Sequence, residues 1–249
     1  MSALEALAIV GAGLVAGTVN TIVGSGSLIT FPTLLAFGFM PVVANVSNTV
    51  GLVPGSLSGA VAYRDELRGQ RPRLLVLGTA SLAGGVTGAA LLLALPGSVF
   101  KHIVPVLILV ACVLVALQPR LSARLAQRRQ RHVHGGPVLF ASVFATGVYG
   151  GYFGAAQGVI LVSLLGIFVA DDLQRLNATK NVLALVVNGV AALVFIAASH
   201  VSWEAAGLIA LGSIVGGQVG GVLGRRIPAP LLRVVIIVVG VTAAVALLV

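Results

Sequence analysis

Apolar residues run along the chain in eight long segments, and the charged, proline and glycine residues are concentrated between them. The segments span approximately 4–38, 41–62, 73–95, 99–117, 137–169, 176–199, 203–224 and 231–249. Six of them have about 20 residues, the length at which an α-helix crosses the hydrocarbon core of a bilayer. The runs are continuous rather than alternating, so they predict an all-α integral membrane protein and disfavour a barrel of strands.

The first and fifth segments differ from the others because each is interrupted near its middle. The interruptions are Gly24-Ser-Gly-Ser27 and the glycine-rich run from Gly150 to Gly158. Each of these segments is too long for one crossing and too short for two crossings with a turn. We therefore predict two re-entrant hairpins, each of which enters the membrane, breaks and returns to the side that it left.

The two halves of the chain resemble each other in their polar and glycine positions. The motif Asn45-Val-Ser-Asn-Thr49 recurs 132 positions later as Asn177-Ala-Thr-Lys-Asn181. At the same shift Gly84, Gly85 and Gly88 fall on Gly216, Gly217 and Gly220, and at a shift of 130 Gly17 and Gly24 fall on Gly147 and Gly154. Glycines at four-residue spacing, such as Gly84 and Gly88, predict close packing of helices in lipid. We predict a first repeat at 1–117, a basic linker at 118–136 and a second repeat at 137–249, an organisation typical of transporters with a site between the repeats.

The basic residues predict the orientation of the repeats. If segments one and five are hairpins, 14 of the 15 Lys and Arg residues fall at or toward one side, whereas eight single crossings would divide them nine to six. The positive-inside rule favours the hairpins, with the basic loops in the cytoplasm. Each half then crosses three times, and the two repeats are inverted. The cluster Arg128-Arg129-Gln-Arg131 belongs to a cytoplasmic loop in this interpretation and does not indicate nucleic-acid binding.

Composition narrows the function further. Hydrophobic residues make up 58% of the 249 positions and charged residues 8%, so the protein needs a lipid bilayer around it. All six acidic residues lie near segment ends, which disfavours cation transport and carboxylate proton relays. No histidine or serine arrangement typical of an enzyme, no metal cluster and no cofactor motif is present in the sequence. The lone Cys112 excludes an internal disulfide.

The glycine breaks are the first candidate binding elements. Broken backbone inside a membrane is tolerated where it is buried in protein or lines a cavity. Its free N–H groups, together with the N-terminus of the following half-helix, form a pocket that suits an anion. A glycine kink used only for packing is the alternative. The candidate residues are Gly24, Ser25, Gly26 and Ser27 in the first break, and Gly154, Gln157 and Gly158 in the second.

The repeated polar motif is the second candidate element, at the start of the second and sixth of the eight segments. Capping of a helix explains one polar residue in each copy but not four in five positions. The members are Asn45, Ser47, Asn48 and Thr49, with Asn177, Thr179, Lys180 and Asn181, and a weaker matched pair follows at Ser56 and Asn188. Lys180 replaces Asn48 in the second copy. It either attracts an anion in the cavity or extends to the cytoplasmic interface.

Two glycine-rich breaks, each followed by an apolar half-helix and a small-polar motif, resemble the TauE/SafE family of sulfite and organosulfonate exporters. The stretch 177–181, Asn188-Gly-Val-Ala-Ala192 and the later glycine run carry the resemblance most specifically. The breaks depart from the family in having Gly-Ser-Gly-Ser and Ala155-Ala156-Gln157 where longer glycine strings are common.

The resemblance implies a transporter in the cell membrane, not an enzyme, that exports a small anion such as sulfite or a sulfonate by alternating access between the repeats. An anion channel with the same pocket and a non-transporting scaffold are the alternatives. A homodimer is compatible with the sequence.

Overall fold

The computed structural model describes residues 1–126, 136–223 and 229–248, and within these ranges the chain forms ten helices and no strand. The helices are α1 Ala3–Ile22, α2 Ser27–Ala36, α3 Pro41–Ala62, α4 Arg71–Ala94, α5 Gly97–Ala126, α6 Gly136–Tyr152, α7 Gln157–Phe168, α8 Leu173–Ala198, α9 Trp203–Leu223 and α10 Ala229–Leu248. The all-helical prediction is confirmed. The arginine cluster at 128–131 and the pair Arg225-Arg226 lie outside the described residues.

The first and fifth predicted segments each contain two helices. Residues 23–26 separate α1 from the short helix α2, and residues 153–156 separate α6 from the short helix α7. The apolar part of α5 ends at Leu117, as the sequence pattern predicts, and the helix itself continues to Ala126. The extension is rich in Ala, Leu and Arg, which are strong helix formers, so the helix persists after the apolar run has ended.

Five helices among the described residues are long and apolar enough to cross a membrane, namely α1, α4, α5, α8 and α9. These spans make the chain a multi-pass membrane protein. Helix α3 was predicted to be an ordinary span, but it is not among them although it has 22 residues. Thirteen of its residues are buried, so α3 is surrounded by other helices and needs little apolar surface toward lipid.

Helix α9 packs between α1 and α3 through glycines that allow the backbones to touch. A Cβ atom on Gly17 would lie 2.4 Å from the carbonyl oxygen of Ser213, and one on Gly55 would lie 2.5 Å from the Ser213 Cβ. One turn earlier, Gly13 and Gly51 both meet Ile209. Helices α1, α3 and α9 therefore run in the same direction, and residues 23–40 must carry the chain back along the bundle before α3 begins.

Helix α4 has the corresponding place between α6 and α8. A Cβ on Gly84 would lie 2.3 Å from the carbonyl oxygen of Phe144, and one on Gly88 would lie 2.0 Å from that of Val148. Gly85 meets Val187 of α8. The matched glycines of the two halves thus have matched partners, since Gly216 and Gly220 meet α1 while Gly217 meets α3. The predicted role of small residues in close helix packing is confirmed.

The two groups of parallel helices run in opposite directions. The side chain of Asn177, one turn into α8, donates to the hydroxyl of Tyr63 at the end of α3. The side chain of Asn45, one turn into α3, donates to the carbonyl of Tyr152 at the end of α6. Loops 63–70 and 169–172 consequently lie together at one end of the bundle, and Lys101 near the start of α5 lies at the other.

Candidate functional site

The two breaks depend on a left-handed backbone that glycine adopts without a steric cost. Gly24 has φ of 88° and Gly154 has φ of 76°, and they occupy matching positions in the two halves. The second break is more strained, because Ala156 also adopts a positive φ of 59°. For a residue with a Cβ this conformation costs roughly 1–2 kcal/mol. The protein therefore maintains a strained backbone at the start of α7, which is typical of functional segments.

The two breaks meet each other inside the bundle. The amide of Gly158 donates to the carbonyl of Gly24 at 3.0 Å. A Cβ atom on Gly24 would lie only 2.3 Å from the Gly158 Cα, and one on Gly158 would lie 2.4 Å from the Gly24 Cα. Because backbone meets backbone, neither position accommodates a side chain. The structure brings together the two breaks that the sequence predicted separately.

Both half-helices begin without a side-chain cap. Gly26 precedes α2 and Ala156 precedes α7, and neither has a side chain that accepts from the first turn. The first N–H groups of an α-helix have no partner within the helix, and together they carry about half a positive charge. In this protein backbone carbonyls accept from these groups: the Leu28 amide donates to Ser25, and the Gly158 and Val159 amides donate to Gly24 and Ala156. The two N-termini therefore contribute their helix dipoles near the breaks and not free N–H groups.

Lys180 is buried against the first break. Its side chain is 1% exposed, and its Nζ atom donates to the carbonyls of Asn20 at 3.1 Å and Thr21 at 3.0 Å. Its aliphatic carbons pack on Gly158. The lysine therefore points into the bundle and does not extend to the interface.

No carboxylate pairs with Lys180 among the described residues, whose ion pairs all lie at helix ends. The positive N-termini of α2 and α7 and the negative C-termini of α1 and α6 cancel to a first approximation, at about half a charge each. In its protonated form the ammonium group then gives the region a net charge of about +1. An anion would neutralise this buried charge, and a cation would be repelled by it.

Three asparagines of the polar motif bind the end of a broken helix of the other half, and the fourth, Asn48, binds α2 of its own half. Asn177 and Asn181 both donate to the carbonyl of Thr21, at 3.3 Å and 3.4 Å. Asn45 donates to the Tyr152 carbonyl at 3.1 Å, and Asn48 accepts from the hydroxyl of Thr30 on α2. Each copy of the motif thus contacts one break, and the contact between Gly24 and Gly158 joins the two.

Several buried polar atoms around the breaks have no hydrogen-bond partner within the protein. Ser25, Asn45, Asn48 and Gln157 are at most 3% exposed. The unpaired atoms are Ser25 Oγ, Asn45 Oδ1, Asn48 Nδ2, Tyr152 OH and Gln157 Nε2. An unpaired buried polar group costs about 1–3 kcal/mol, so this grouping calls for a ligand or water. Four of the five atoms carry a hydrogen to donate, and donors are what an oxyanion requires.

The remaining predicted residues make contacts that hold helices together. Ser47 accepts from the Ser202 amide at 2.9 Å, immediately before α9. Thr179 donates to Gln70 Oε1 at 2.7 Å, immediately before α4. The other positions are also placed: Thr49 donates to the Asn45 carbonyl, Ser56 accepts from Asn20, Gly26 packs on Ala16, and Ser27 and Asn188 are half-buried. None of these contacts joins the first break to the second.

Sequence reasoning missed Asn20, Thr21, Thr30 and Tyr63. Asn20 and Thr30 are polar residues within otherwise apolar stretches on either side of the first break, a signal that was available. Thr21 contributes its backbone carbonyl, and no sequence pattern marks a carbonyl as an acceptor.

A polar network closes the bundle where loops 63–70 and 169–172 meet. Asp171 accepts from Arg73 at 2.9 Å and from Arg175 at 2.8 Å. Arg175 also donates to the carbonyls of Glu66 and Arg68. Burial raises the pKa of the Asp171 carboxyl, but hydrogen bonds from Arg73, the Asp172 amide and Arg175 outweigh it and hold the pKa below its usual value. The network fastens the loop after α3 to the start of α8.

We expect Asp171→Asn to destabilise the protein by about 2 kcal/mol, because it leaves two arginines without their shared carboxylate. Since the folded-state pKa is lowered, the contribution of Asp171 is complete above the ordinary carboxyl pKa of about 3.9. It is lost as the pH falls through the lower folded value. Thermal unfolding in detergent from pH 7 to pH 3 measures this.

Asp65→Asn is the matched control, since Asp65 pairs with Arg68 at 2.9 Å on the exposed surface. Such a pair is worth under about 1 kcal/mol. Equal melting temperatures for the Asp171 and Asp65 variants at pH 7 would show that the network does not hold the two loops.

The fold and the site define a multi-pass helical membrane protein with a buried, cationic region between two broken helices. A family model described as sulfite exporter TauE/SafE matches residues 9–247. The chain belongs to this family and is a membrane transporter. The resemblance inferred from the glycine breaks and polar motifs is thereby confirmed.

Curated relatives have the same general description. "Probable membrane transporter protein YfcA" of Escherichia coli K12 is 28% identical over 235 residues, covering 91% of this chain and 83% of the relative. "Probable membrane transporter protein ORF9" of Sinorhizobium sp is 28% identical over 241 residues, covering 95% and 90%. A "Probable membrane transporter protein" of Haemophilus influenzae is 29% identical over 213 residues, covering 84% and 80%. No solved structure matches the chain.

Proposed function

We propose that this transporter exports a small oxyanion of the sulfite or organosulfonate class and binds it where the two breaks meet. The observation that carries the proposal is the set of unpaired buried donors on residues at and beside the two breaks. Lys180, buried against the first break, has no carboxylate partner among the described residues. Donors on Ser25, Asn48 and Gln157 would bind the anion's oxygens. Lys180 would supply the balancing charge.

The chain is further proposed to be an inverted repeat, with halves at 1–117 and 137–249 joined by the linker at 118–136. The opposite directions of α3 and α8 and the matched partners of the glycines support this organisation. Transporters of this kind bind substrate at the interface of the repeats and expose it by rocking one repeat against the other. The basic loops would face the cytoplasm, in the cell membrane, according to the positive-inside rule.

A carrier accounts for the geometry better than a channel. The direct contact between Gly24 and Gly158 leaves no room for an ion to pass between the breaks. On the side of the basic loops, Tyr63 binds Asn177 and Gln70 binds Thr179, so the first half covers the second half's motif. Passage therefore requires the halves to move apart. The membrane potential favours export of an anion by about 2.3 kcal/mol per charge per 100 mV, so a uniporter would suffice.

Flux in proteoliposomes tests the proposal. We expect sulfite or a sulfonate such as sulfoacetate to move in response to an imposed potential, with a rate that saturates as the anion concentration rises. A rate that rises without saturation favours the channel. No flux of sulfite, thiosulfate, sulfoacetate or taurine above that of empty vesicles, and no thermal stabilisation by any of them, would leave the scaffold as the better description.

A further inference from the structure

A crevice of about 960 Å³ lies between α2, α5 and α10, at the end of the bundle opposite loops 63–70 and 169–172. Its walls are mainly apolar, and include Pro32 and Ala36 of α2, Pro105 of α5 and Val239 of α10. None of its lining residues belongs to the candidate transport site. Its volume is at the upper end of the range for pockets that bind drug-sized molecules.

The crevice opens on a surface that faces lipid. Next to it, α5 and α10 expose a series of valines on their outer faces, at Val106, Val110 and Val113 of α5 and at Val234, Val238 and Val241 of α10. In a membrane protein, two neighbouring helices whose outer faces are apolar and exposed contact the acyl chains of the lipid. An occupant of the crevice therefore enters from the bilayer.

One end of the crevice is cationic. Lys101 and His102, near the start of α5, are lining residues, and both are exposed. Lys101 makes no ion pair with any described residue, and the crevice lining contains no acidic residue. An ammonium group at the end of an apolar groove between membrane helices is complementary in charge to the phosphate of an acidic lipid whose acyl chain lies in the groove.

We propose that this crevice binds one anionic phospholipid, with its phosphate at Lys101 and His102 and an acyl chain along α2 and α10. The lipid would contact the half-helix that also serves the transport site. On one face α2 presents Thr33 and Ala36 to the crevice, and on another its Thr30 donates to Asn48. Binding of the lipid itself does not depend on which anion the protein transports.

Native mass spectrometry of the purified full-length protein tests the proposal, with phosphatidylglycerol and phosphatidylcholine of identical chains as probes. We expect one phosphatidylglycerol to bind more tightly than phosphatidylcholine. Lys101→Gln should weaken the binding of phosphatidylglycerol about fivefold, which is the effect of one basic residue near an anionic lipid. The binding of phosphatidylcholine should not change. Thr242→Trp should weaken both lipids, because it fills the crevice from an exposed position on α10.

Arg64→Gln is the matched control, since it removes an exposed positive charge from the loop at the opposite end. It should bind both lipids as the wild type does. Equal binding of the two lipids by the wild type overturns the proposal. The proposal is also overturned if Lys101→Gln lowers the affinity for phosphatidylglycerol no more than Arg64→Gln does. It is overturned as well if a Thr242→Trp variant that elutes as a monodisperse folded protein binds both lipids as the wild type does.

Discussion

The Gly24→Ala variant is expected to lose most of its folded protein, whereas Gly38→Ala is expected to remain folded. The two glycines have nearly the same backbone, with φ of 88° and 83°. A Cβ on Gly24 would lie 2.3 Å from the Gly158 Cα, but one on Gly38 would meet nothing within 4 Å. Both variants therefore bear the same conformational cost of roughly 1–2 kcal/mol. Only Gly24→Ala adds a clash with backbone, worth about 3 kcal/mol.

Fluorescence-detected size exclusion and thermal unfolding in detergent measure the difference. A second pair of variants compares two glycines of helix α7, so that a positive φ plays no part in the result. Gly158→Ala meets the same backbone contact as Gly24→Ala, whereas the new Cβ of Gly166→Ala meets nothing within 4 Å. If Gly24→Ala and Gly158→Ala unfold at the temperatures of their controls, the two breaks do not touch. The transport site would then have to be placed elsewhere.

Lys180→Met is expected to reduce anion transport about 10- to 100-fold while leaving thermal stability unchanged or raised. Methionine has a similar length and no charge, so the variant avoids the cost of burying an ammonium group without a carboxylate partner. This gain offsets the loss of the hydrogen bond to the Asn20 carbonyl. The carbonyl of Thr21 still accepts from Asn177 and Asn181 in the variant. The loss of transport corresponds to one charge-assisted hydrogen bond to the anion, about 1.5–3 kcal/mol.

Lys180→Gln separates charge from hydrogen bonding, because glutamine retains donors for the carbonyls of Asn20 and Thr21. We expect it to fold normally and to transport as poorly as Lys180→Met in the proteoliposome assay. Arg64→Gln, which removes an exposed charge far from the breaks, should transport normally. Wild-type flux in Lys180→Gln would show that the lysine only holds the end of α1 and that the anion is bound without it.

The sequence predicted the helical membrane class, the two breaks and the close packing at glycines, because each leaves a local signature. Continuous apolar runs, glycine where φ is positive, and small residues at four-residue spacing can be recognised without knowing the partner. The end of α5 could not be predicted from hydrophobicity, because the helical propensity of residues 118–126 outlasts the apolar run.

The use of individual polar residues was much harder to predict. Ser47 and Thr179 look equivalent to their neighbours in the motif, but they bind the residues that precede α9 and α4. Lys180 was equally compatible with an exposed and a buried position. Its orientation is decided by the carbonyls of Asn20 and Thr21, which lie 160 and 159 positions away in the sequence. Such acceptors belong to the backbone, so they become visible only when the helices are assembled.

Helices of the first half pack mainly on helices of the second half, and this affects how the protein is assembled during synthesis. Helix α1 packs against α9, and α4 packs against α6 and α8, so the glycine faces of the first half have no partner until the second half has been synthesised. The ribosome delivers the N-terminal helices first. For much of synthesis the membrane must therefore hold α1 and α4 with their close-packing surfaces facing lipid. We expect the two halves to mature together, in one late step, and not one after the other.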